Sequence, residues 1–573
     1  MISSGDDFTS TKNTPRLPRR DDRTQSWPFI DPGFWVAAIV GALVSLIITG
    51  YAFPISNNSF HLPIVGQLYD NPNFVSDAYI QSLRHFSSGI WWILAGSADW
   101  VEPRNLFFAA LLLSRLLSFV GFLVCANHFG IQGAKHRFIF ALLISMSPLM
   151  QGESFAGDGG LFINYFTHSE IANGLFLLAV WAGLQLKIPL ALSMMGLTFF
   201  VNAFIGVWLA FILGALFAYE ALMGRLVLKH LTVSSLLGAV ICVSFTIPII
   251  FSIVSNPDFG KPLHFNYVDF LTEYYPTHFL AWTIPFRDFV RLAIVATIGV
   301  AALSRLPDGE GRFAIILGAC LLLYVIGVCI PWVNQSSLVL NLHLLRSGTL
   351  IHLLSALLLS TVLVRWWLSA DIIRMGAALG IAVILSMMLI ASRGHTLIYL
   401  AIIGVVAFNG GSDFTWIQRR VAPPVARYMG LLTACTWILA VLFVAIYSLR
   451  NQRIIADHEH FLKDWGEIAN WAQQETESSS IFLVDGEASA DFEYLSHRSI
   501  WVDWKRGAAV MWSPSYYGTW KERRDDVAGL NTLDERIVYS RSHKIAYIIE
   551  PSIADCQGRE IFRTVSLCVV EVK

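Results

Sequence analysis

The stretch FWVAAIVGALVSLIITGYAF, residues 34–53, contains no charged side chain and is long enough to cross a lipid bilayer as a helix. Similar apolar runs recur along most of the chain, near residues 105–127, 137–150, 169–186, 188–203, 204–222, 231–254, 288–304, 312–332, 348–364, 375–392, 395–409 and 426–447. A membrane-spanning helix needs about 20 predominantly apolar residues. The pattern therefore predicts an all-α polytopic membrane domain of about thirteen transmembrane helices.

The composition of the chain also separates it from soluble proteins. Of its 573 residues, 55% are hydrophobic and 14% are charged, and the mean hydropathy is +0.57. An average soluble domain has about 25% charged residues, so the sequence indicates a multi-pass membrane protein. The formal net charge of −1 gives no sign of the basic surface that a nucleic acid requires, so no nucleic-acid partner is expected.

The long apolar segment 188–222 decides how many helices cross the membrane in this region. It is too long for one ordinary span, and the polar Asn202 interrupts it near its middle. We expect the segment to form two helices with a tip at 201–204. A single long, tilted helix is the alternative.

Lysine and arginine residues predict the orientation, because they are enriched on the cytoplasmic side. The N-terminal tail, residues 1–33, carries PRLPRRDDR at 15–23 and has no cleavable signal pattern, so it is expected in the cytoplasm. Alternation of spans places the following basic residues on the same side: Lys135, His136, Arg137, Arg225, Lys229, Arg305, Arg312, Arg365, Arg374, Arg419, Arg420 and Arg427.

The same alternation places the longest connections of the membrane domain, residues 34–447, outside. These external loops are 54–104, 151–168, 255–287 and 333–347. In the first loop, the aromatic and apolar spacing of SDAYIQSLRHFSSGIWWILAG, residues 76–96, predicts a helix that lies on the membrane surface.

The more charged C-terminal segment, residues 448–573, is predicted to form a small extracytoplasmic α/β domain. Its expected helices are 460–474 and 514–530, and its expected strands are 480–486, 498–504, 544–550 and 566–572. Cys556 and Cys568 lie in this domain and are candidates for a disulfide, with two free buried thiols as the alternative. The sequence contains no CxxC or HExxH pattern, so no dedicated metal site is predicted.

Ionisable residues concentrate in the predicted external loops, where partial burial near lipid makes them candidates for function. Asp70 and Asp77 lie in YDNPNFVSDAY, residues 69–79, and Asp158 and Glu170 lie in QGESFAGDGGLFINYFTHSEIANG, residues 151–174, which contains the second loop. Structural roles are the alternatives for these acids. Asp70 is in a good turn sequence, Asp77 can cap a helix, and Asp158 precedes two glycines.

Arg346 is the cation that is hardest to explain structurally, because it directly precedes the apolar span that starts at 348. An arginine at that depth usually pairs with a carboxylate or a phosphate. The alternative is that its side chain extends to the lipid headgroups. His278, in the third of these loops, and His343, close to Arg346, are further candidates, although His278 can also be an ordinary interfacial histidine.

Four sequence elements resemble a bacterial branch of the GT-C superfamily, whose members are integral-membrane glycosyltransferases that use polyprenyl-phosphate sugars. The elements are LPIVGQLYDNPNFVSDAY (62–79), PTHFL (276–280), LNLHLLRSG (340–348) and DFEYLSHRSIWVDWK (491–505). The layout of about a dozen spans followed by an external α/β domain is similar as well. The resemblance covers nearly the whole chain.

The resemblance implies a role for each candidate residue. A first-loop carboxylate, Asp77 or Asp70, is expected to act as general base on the acceptor, with Asp158 or Glu170 as substitutes. Arg346, with His278 and His343 nearby, is expected to hold the donor phosphate. Many members of the superfamily place an acid directly after the first span, whereas this chain has PISNNSFH at 54–61.

The expected function is transfer of a sugar from a polyprenyl-phosphate donor to an external glycan or lipid acceptor, in a bacterial inner membrane and in contact with membrane lipid. A divalent metal is left open as a cofactor. One alternative is a non-catalytic protein of polysaccharide or glycolipid assembly or transport on the same scaffold. An O-antigen polymerase or ligase is a third reading, although such enzymes typically have one large external loop.

Overall fold

The computed structural model describes residues 28–55, 57–226, 233–308, 311–390, 395–413, 415–420, 422–484, 486, 488–551, 556 and 558–572. The basic motif at 15–23 and Lys229, both used above to predict the orientation, lie outside these residues.

Helices make up most of the described chain up to residue 475. The first group is α1 (Pro32–Thr49), α2 (Asn58–Val65), α3 (Ala78–Ser82), α4 (Gly89–Leu94), α5 (Pro103–His128), α6 (Ala134–Met146), α7 (His168–Leu184), α8 (Ile188–Val201) and α9 (Ala203–Leu222). The second group is α10 (Val233–Val254), α11 (Tyr267–Tyr274), α12 (Phe286–Leu303), α13 (Arg312–Cys329), α14 (Ser337–Leu340), α15 (Gly348–Trp367), α16 (Ile372–Met388), α17 (His395–Ala407), α18 (Thr415–Arg420), α19 (Ala422–Arg427) and α20 (Met429–Glu475).

Every apolar run identified in the sequence falls on one of these helices. Within the described residues, seven helical segments are long and apolar enough to cross a membrane, and α8, α16 and α17 are shorter apolar helices. The segment that contains α15 is buried along its whole apolar window, whereas α10 and α20 are 11% buried there. Helix α15 is therefore central, and α10 and α20 present apolar faces to the lipid.

Asn202 separates α8 from α9, so the prediction of two helices is confirmed and the single long helix is wrong. Its side-chain Oδ1 accepts hydrogen bonds from the backbone N–H groups of Phe204 at 3.1 Å and Ile205 at 3.2 Å. These contacts satisfy the first free N–H groups of α9, because the Asn side chain substitutes for the missing turn of helix.

The prediction of one surface helix over residues 76–96 is wrong. The segment forms the short helices α3 and α4, joined by a 3-10 turn at Leu83–His85. The backbone is extended at Phe86 and again at Ser88, and the Ser88 hydroxyl donates a hydrogen bond to the carbonyl of Val201 at 2.7 Å. A tertiary contact with the C-terminal end of α8 thus interrupts the regular helix.

The C-terminal domain contains a five-stranded mixed sheet with the order β2-β1-β3-β5-β4. Its elements are β1 (Ile481–Val484), α21 (Phe492–Ser496), β2 (Ser499–Ile500), α22 (Tyr517–Ala528), α23 (Leu533–Ser542), β3 (Tyr547–Glu550), β4 (Glu560–Arg563) and β5 (Cys568–Glu571). Strand β1 is parallel to β2 and β3, and β5 is antiparallel to β3 and β4. The predicted small α/β domain is confirmed. The sequence analysis did not predict the edge strand β4 or the helices α21 and α23.

Helix α20 joins this domain to the membrane domain without interruption. It has 47 residues, so it extends about 70 Å at 1.5 Å per residue. The predicted domain boundary at 448 lies within it. At its C-terminal end, Trp465 and Ile468 are buried with the side chains of the sheet. Cys556 and Cys568 form a disulfide in the same domain, with their Cα atoms 6.5 Å apart.

Candidate functional site

The loop between α6 and α7 packs closely against the start of α15. A Cβ atom added to Gly157 would lie 2.3 Å from the carbonyl oxygen of Leu345, and one added to Gly159 would lie 2.0 Å from the Thr349 Oγ1. Both distances are shorter than any real contact of a Cβ atom, so only glycine fits at these two positions. The two glycines therefore bring the backbone around Asp158 into contact with the backbone around Arg346.

Hydrogen bonds fix the strained backbone of this loop. Ala156 and Asp158 have positive φ angles of 52° and 48°, which non-glycine residues rarely adopt. The Tyr324 hydroxyl donates to the carbonyl of Ala156 at 2.7 Å. The backbone N–H of Gly159 donates to the Ser154 Oγ at 3.0 Å. Strain that is held in place in this way is frequent at functional sites.

Arg346 lies in a 3-10 turn, Leu344–Ser347, directly before α15. Its guanidinium donates one hydrogen bond, at 3.1 Å, to the backbone carbonyl of Asp158. The carboxylates of Glu153 and Asp158 are close enough to act on its charge. No carboxylate of the described residues forms an ion pair with Arg346. The guanidinium therefore retains capacity to bind an anion.

The Asp158 side chain faces His278, whose Nδ1 lies 3.6 Å from its Oδ2. The Thr277 Oγ1 is 3.1 Å from the same ring nitrogen. Burial acts to raise the pKa of Asp158, but the polar contacts of His278 and Thr277 outweigh it and hold that pKa below its ordinary value. Burial lowers the pKa of His278, although Asp158 opposes this effect. Asp158 is thus an ionised, well-positioned carboxylate and a weak base.

Glu153 has the opposite electrostatic environment. Glu153 is exposed overall, but partial burial of its carboxyl group raises the pKa above the ordinary value, and the charge of Asp158 raises it further, against the opposing charges of Arg346 and Lys505. Burial and the charge of Glu153 also raise the pKa of the Tyr165 hydroxyl, to about 12. Of the two loop carboxylates, Glu153 is therefore the better proton acceptor near neutral pH.

His343 precedes Arg346 by three residues in the chain, and its ring is buried. The ring contacts Phe204 and Phe279, with ring centroids 4.5 Å and 4.4 Å away. Among the described residues, its Nδ1 has no hydrogen-bond partner. His343 and Arg346 both line a cavity of about 30 Å³, which also contacts Asn173 and is large enough for one or two water molecules. A role of His343 in binding the donor phosphate stays a prediction.

Asp77 has two structural partners. It caps α3, because its Oδ1 accepts a hydrogen bond from the backbone N–H of Ile80 at 3.1 Å. Its Oδ2 lies 3.7 Å from the Nη1 of Arg506, a buried residue of the C-terminal domain that also pairs with Glu493. The cap was one of the two alternatives that the sequence left open, and this geometry favours it over the role of general base.

Asp70 and Glu170 are also engaged away from Arg346. Asp70 is exposed and forms an ion pair with Arg84 at 2.8 Å on the surface of the first loop. Glu170 is buried in the first turn of α7, where it forms an ion pair with Arg115 at 3.0 Å. Neither acid belongs to the group around Arg346, so neither matches the predicted role of general base.

His61, from α2, was not selected as a candidate from the sequence. It is 1% exposed, and neither ring nitrogen has a hydrogen-bond partner in the part of the chain that the structure describes. Its ring stacks on Trp91 with the centroids 4.0 Å apart and lies 6.3 Å from His168. Glu153 and Lys505 were not selected either. A carboxylate four residues before a glycine-rich turn and a lysine beside a tryptophan are too common to stand out in a single sequence.

Within the described ranges, no group of three or more histidine, cysteine, aspartate or glutamate side chains is arranged to hold a metal ion. Asp158 faces His278 and Thr277, and Glu153 lies within electrostatic range of Arg346 and Lys505.

Comparisons with known proteins give a short sequence match and several structural likenesses. A profile for DUF6798, a domain of unknown function, matches residues 463–527. No curated protein sequence matches the chain. The chain is similar to the crystal structures of ArnT from Cupriavidus metallidurans bound to undecaprenyl phosphate and in the apo state. The identity is 14%, the TM-scores are 0.46 and 0.44, and the match covers 94% of this chain and 97% of ArnT.

The chain is also similar to the cryo-EM structure of the arabinosyltransferase EmbB from Mycobacterium smegmatis. The identity is 10% and the TM-score is 0.44. The match covers 76% of this chain and 42% of EmbB. Because the identities and TM-scores are this low, the likeness concerns the general layout, and we infer the function from the site alone.

Proposed function

We propose that this protein is a membrane glycosyltransferase that moves a sugar from a polyprenyl-phosphate donor to an acceptor at the external face of a bacterial inner membrane. The proposal rests on the position and the contacts of the Arg346 guanidinium. Its guanidinium lies at the start of α15, donates to one backbone carbonyl and forms no ion pair within the described chain. An arginine of this kind next to apolar helices suits a phosphate that is attached to a lipid.

In this proposal, Arg346 binds the phosphate of the donor. When the glycosidic bond to the phosphate breaks, negative charge builds up on the phosphate oxygens. A planar guanidinium that is already oriented can donate two parallel hydrogen bonds to those oxygens. The contact with the carbonyl of Asp158 orients the guanidinium before the substrate binds.

Glu153 is the proposed general base. The acceptor hydroxyl must lose a proton as it attacks the anomeric carbon of the sugar, and a carboxylate with a raised pKa removes that proton more effectively than an ordinary one. Asp158 remains ionised, and we assign it and His278 to positioning the loop and balancing the charge of Arg346. Asp77, Asp70 and Glu170 are not part of this mechanism because they have other partners.

Glu153→Gln is expected to reduce sugar transfer about 10²- to 10⁴-fold, because the amide cannot accept the proton, while donor binding is retained. In the wild type, transfer is expected to decrease as the pH falls through the raised pKa of Glu153, above the ordinary glutamate value of 4.5. The pH dependence of single-turnover transfer checks both statements. Glu102→Gln, at an exposed position in the first loop, is the matched control. Full transfer by Glu153→Gln, together with loss of transfer in Asp158→Asn, would assign the base to Asp158 instead.

The acceptor is proposed to be a glycan or a lipid at the external face. The second candidate function is a non-catalytic role in polysaccharide or glycolipid assembly on the same scaffold. The interrupted acid pattern after the first span, PISNNSFH at 54–61, favours that alternative.

Native mass spectrometry of the purified protein with added undecaprenyl phosphate tests the proposed donor class. Saturable one-to-one binding, together with a co-purified species whose mass equals a prenyl phosphate plus a sugar, is the expected result. Arg84→Ala, which removes an exposed arginine of the first loop, serves as the control and should bind equally well. Absence of binding across the titration would contradict the proposed function.

A further inference from the structure

The C-terminal domain reaches the site through a 3-10 turn, Lys505–Met511. Arg506 anchors the start of this turn. Its side chain is 1% exposed, forms ion pairs with Glu493 and Asp77, and donates to the carbonyl of Ile500 at 2.6 Å. Because Asp77 belongs to the first loop, these contacts tie the turn to the membrane domain as well as to its own domain.

The far end of the turn is fixed to the other external loops. The Asn341 side chain donates to the carbonyl of Met511 at 3.1 Å, and the Asn256 side chain donates to the carbonyl of Trp512 at 2.6 Å. Asn341 is only five residues from Arg346 in the chain. The turn is therefore held at both ends on external loops, one of which also carries Arg346.

Aromatic contacts place Lys505, the first residue of the turn, near the other charged groups of the site. Its Nζ lies 5.6 Å from the ring centroid of Trp504 and 6.0 Å from that of Phe60. Trp504 in turn contacts Tyr275 at 5.7 Å, and Tyr275 contacts His278 at 6.5 Å. Lys505 is thus connected to His278 through two packed rings.

The charge of Lys505 acts on the same groups as the charge of Arg346. Burial and the Asp158 charge raise the pKa of Glu153, and Arg346 and Lys505 both oppose that rise. Both cations also help to lower the pKa of His278, after the larger effect of burial. Lys505 and Arg346 thus lie within electrostatic range of the same two groups, Glu153 and His278, although they come from distant parts of the chain.

We propose that Lys505 is the second cation of the donor-phosphate site and binds the anionic phosphodiester of the polyprenyl donor together with Arg346. This inference rests on the proposed function and assigns part of the active site to the segment that matches DUF6798. Without Lys505, the two carboxylates of Glu153 and Asp158 would outnumber the single guanidinium and repel a phosphate. With Lys505, the charges balance before the donor binds.

Three variants test the proposal in the full-length protein, with undecaprenyl phosphate as the probe in native mass spectrometry. Lys505→Gln is expected to bind about tenfold to a hundredfold more weakly than the wild type, because it loses a charge-assisted contact. Lys505→Arg should restore most of the affinity. Lys544→Gln removes an exposed lysine of the same domain and should have no effect.

The pH dependence of transfer separates this role from a purely structural one. Besides Lys505, the charged and titratable groups around Glu153 are Asp158, Arg346 and Tyr165. Removal of the Lys505 charge should raise the pKa of Glu153 further and move the acidic limb of the pH–rate profile of Lys505→Gln to higher pH. Lys505→Arg should keep the wild-type limb, which a loss of folding would not reproduce.

Two results would overturn the inference, and they are distinguishable. If Lys505→Gln binds like the wild type and keeps its pH profile while Arg346→Ala binds weakly, Lys505 is not part of the phosphate site and the proposed function stands. If the wild type itself does not bind undecaprenyl phosphate, both the inference and the proposed function fail.

Discussion

Arg346→Ala is expected to weaken the binding of a polyprenyl phosphate and to lower sugar transfer by about 10²- to 10³-fold. The reason is that the guanidinium is the best-placed donor for the phosphate oxygens, and the loss of one such preorganised donor typically costs this much. The alanine variant should fold, because Arg346 makes one hydrogen bond to a backbone carbonyl and no ion pair in the described structure. Lipid titration by native mass spectrometry measures the affinity.

The matched variants separate charge from geometry. Arg346→Lys keeps the positive charge but not the planar pair of donors, so its affinity should lie between those of the wild type and Arg346→Ala. Arg84→Ala removes an arginine whose ion pair with Asp70 is exposed, so it should bind like the wild type. Equal binding by Arg346→Ala and the wild type would show that the phosphate site lies elsewhere.

Arg506→Ala should lower the free energy of unfolding by about 3–5 kcal/mol, the cost of breaking a buried ion pair by removing one partner. Arg506 is 1% exposed, and the side chains of Glu493 and Asp77, its two acidic partners, are each 8% exposed. Without the guanidinium, both carboxylates would be left without a cation in a buried environment. Chemical denaturation in detergent, followed by tryptophan fluorescence, measures the loss.

A substitution of Asp77, which belongs to the same cluster as Arg506, tests the role of this carboxylate directly. Asp77→Asn retains the shape of the cap, keeps Arg506 paired with Glu493 and should lower stability by only about 1 kcal/mol. If Asp77 supports structure, the folded variant should transfer sugar at close to the wild-type rate. A folded Asp77→Asn protein without transfer activity would return the role of general base to the first loop.

The positions of the apolar helices were predictable because a bilayer imposes a composition on every helix that crosses it, although seven helical segments of the described residues, and not thirteen, are long and apolar enough to span. Each of the thirteen apolar runs falls on a helix, and even the break at Asn202 was visible as a polar residue within an apolar segment. The first loop was less predictable. The apolar residues of 76–96 have helical spacing, but contacts such as that of Ser88 with Val201 determine the conformation of the segment. Such contacts cannot be predicted from the spacing of apolar residues.

Some residues of the candidate site were likewise predictable from the sequence, and others were not. Arg346 could be identified from the sequence because a cation at the start of an apolar span has few structural explanations. The pairing of Asp158 with His278 and the approach of Lys505 could not, because each depends on loops that are distant in the chain. Asp77 attracted attention as an acid in the first loop, but the sequence could not show that the buried Arg506 would lie beside it.

A structure of the full-length protein determined by electron cryomicroscopy with saturating undecaprenyl phosphate would test the central claim most directly. The proposed function predicts density for the phosphate within hydrogen-bonding distance of the Arg346 guanidinium, about 2.7–2.9 Å for a charge-assisted contact. The further inference adds that Lys505 faces the same phosphate. Density for the phosphate at another position, with Arg346 still bound only to the carbonyl of Asp158, would contradict the proposed function.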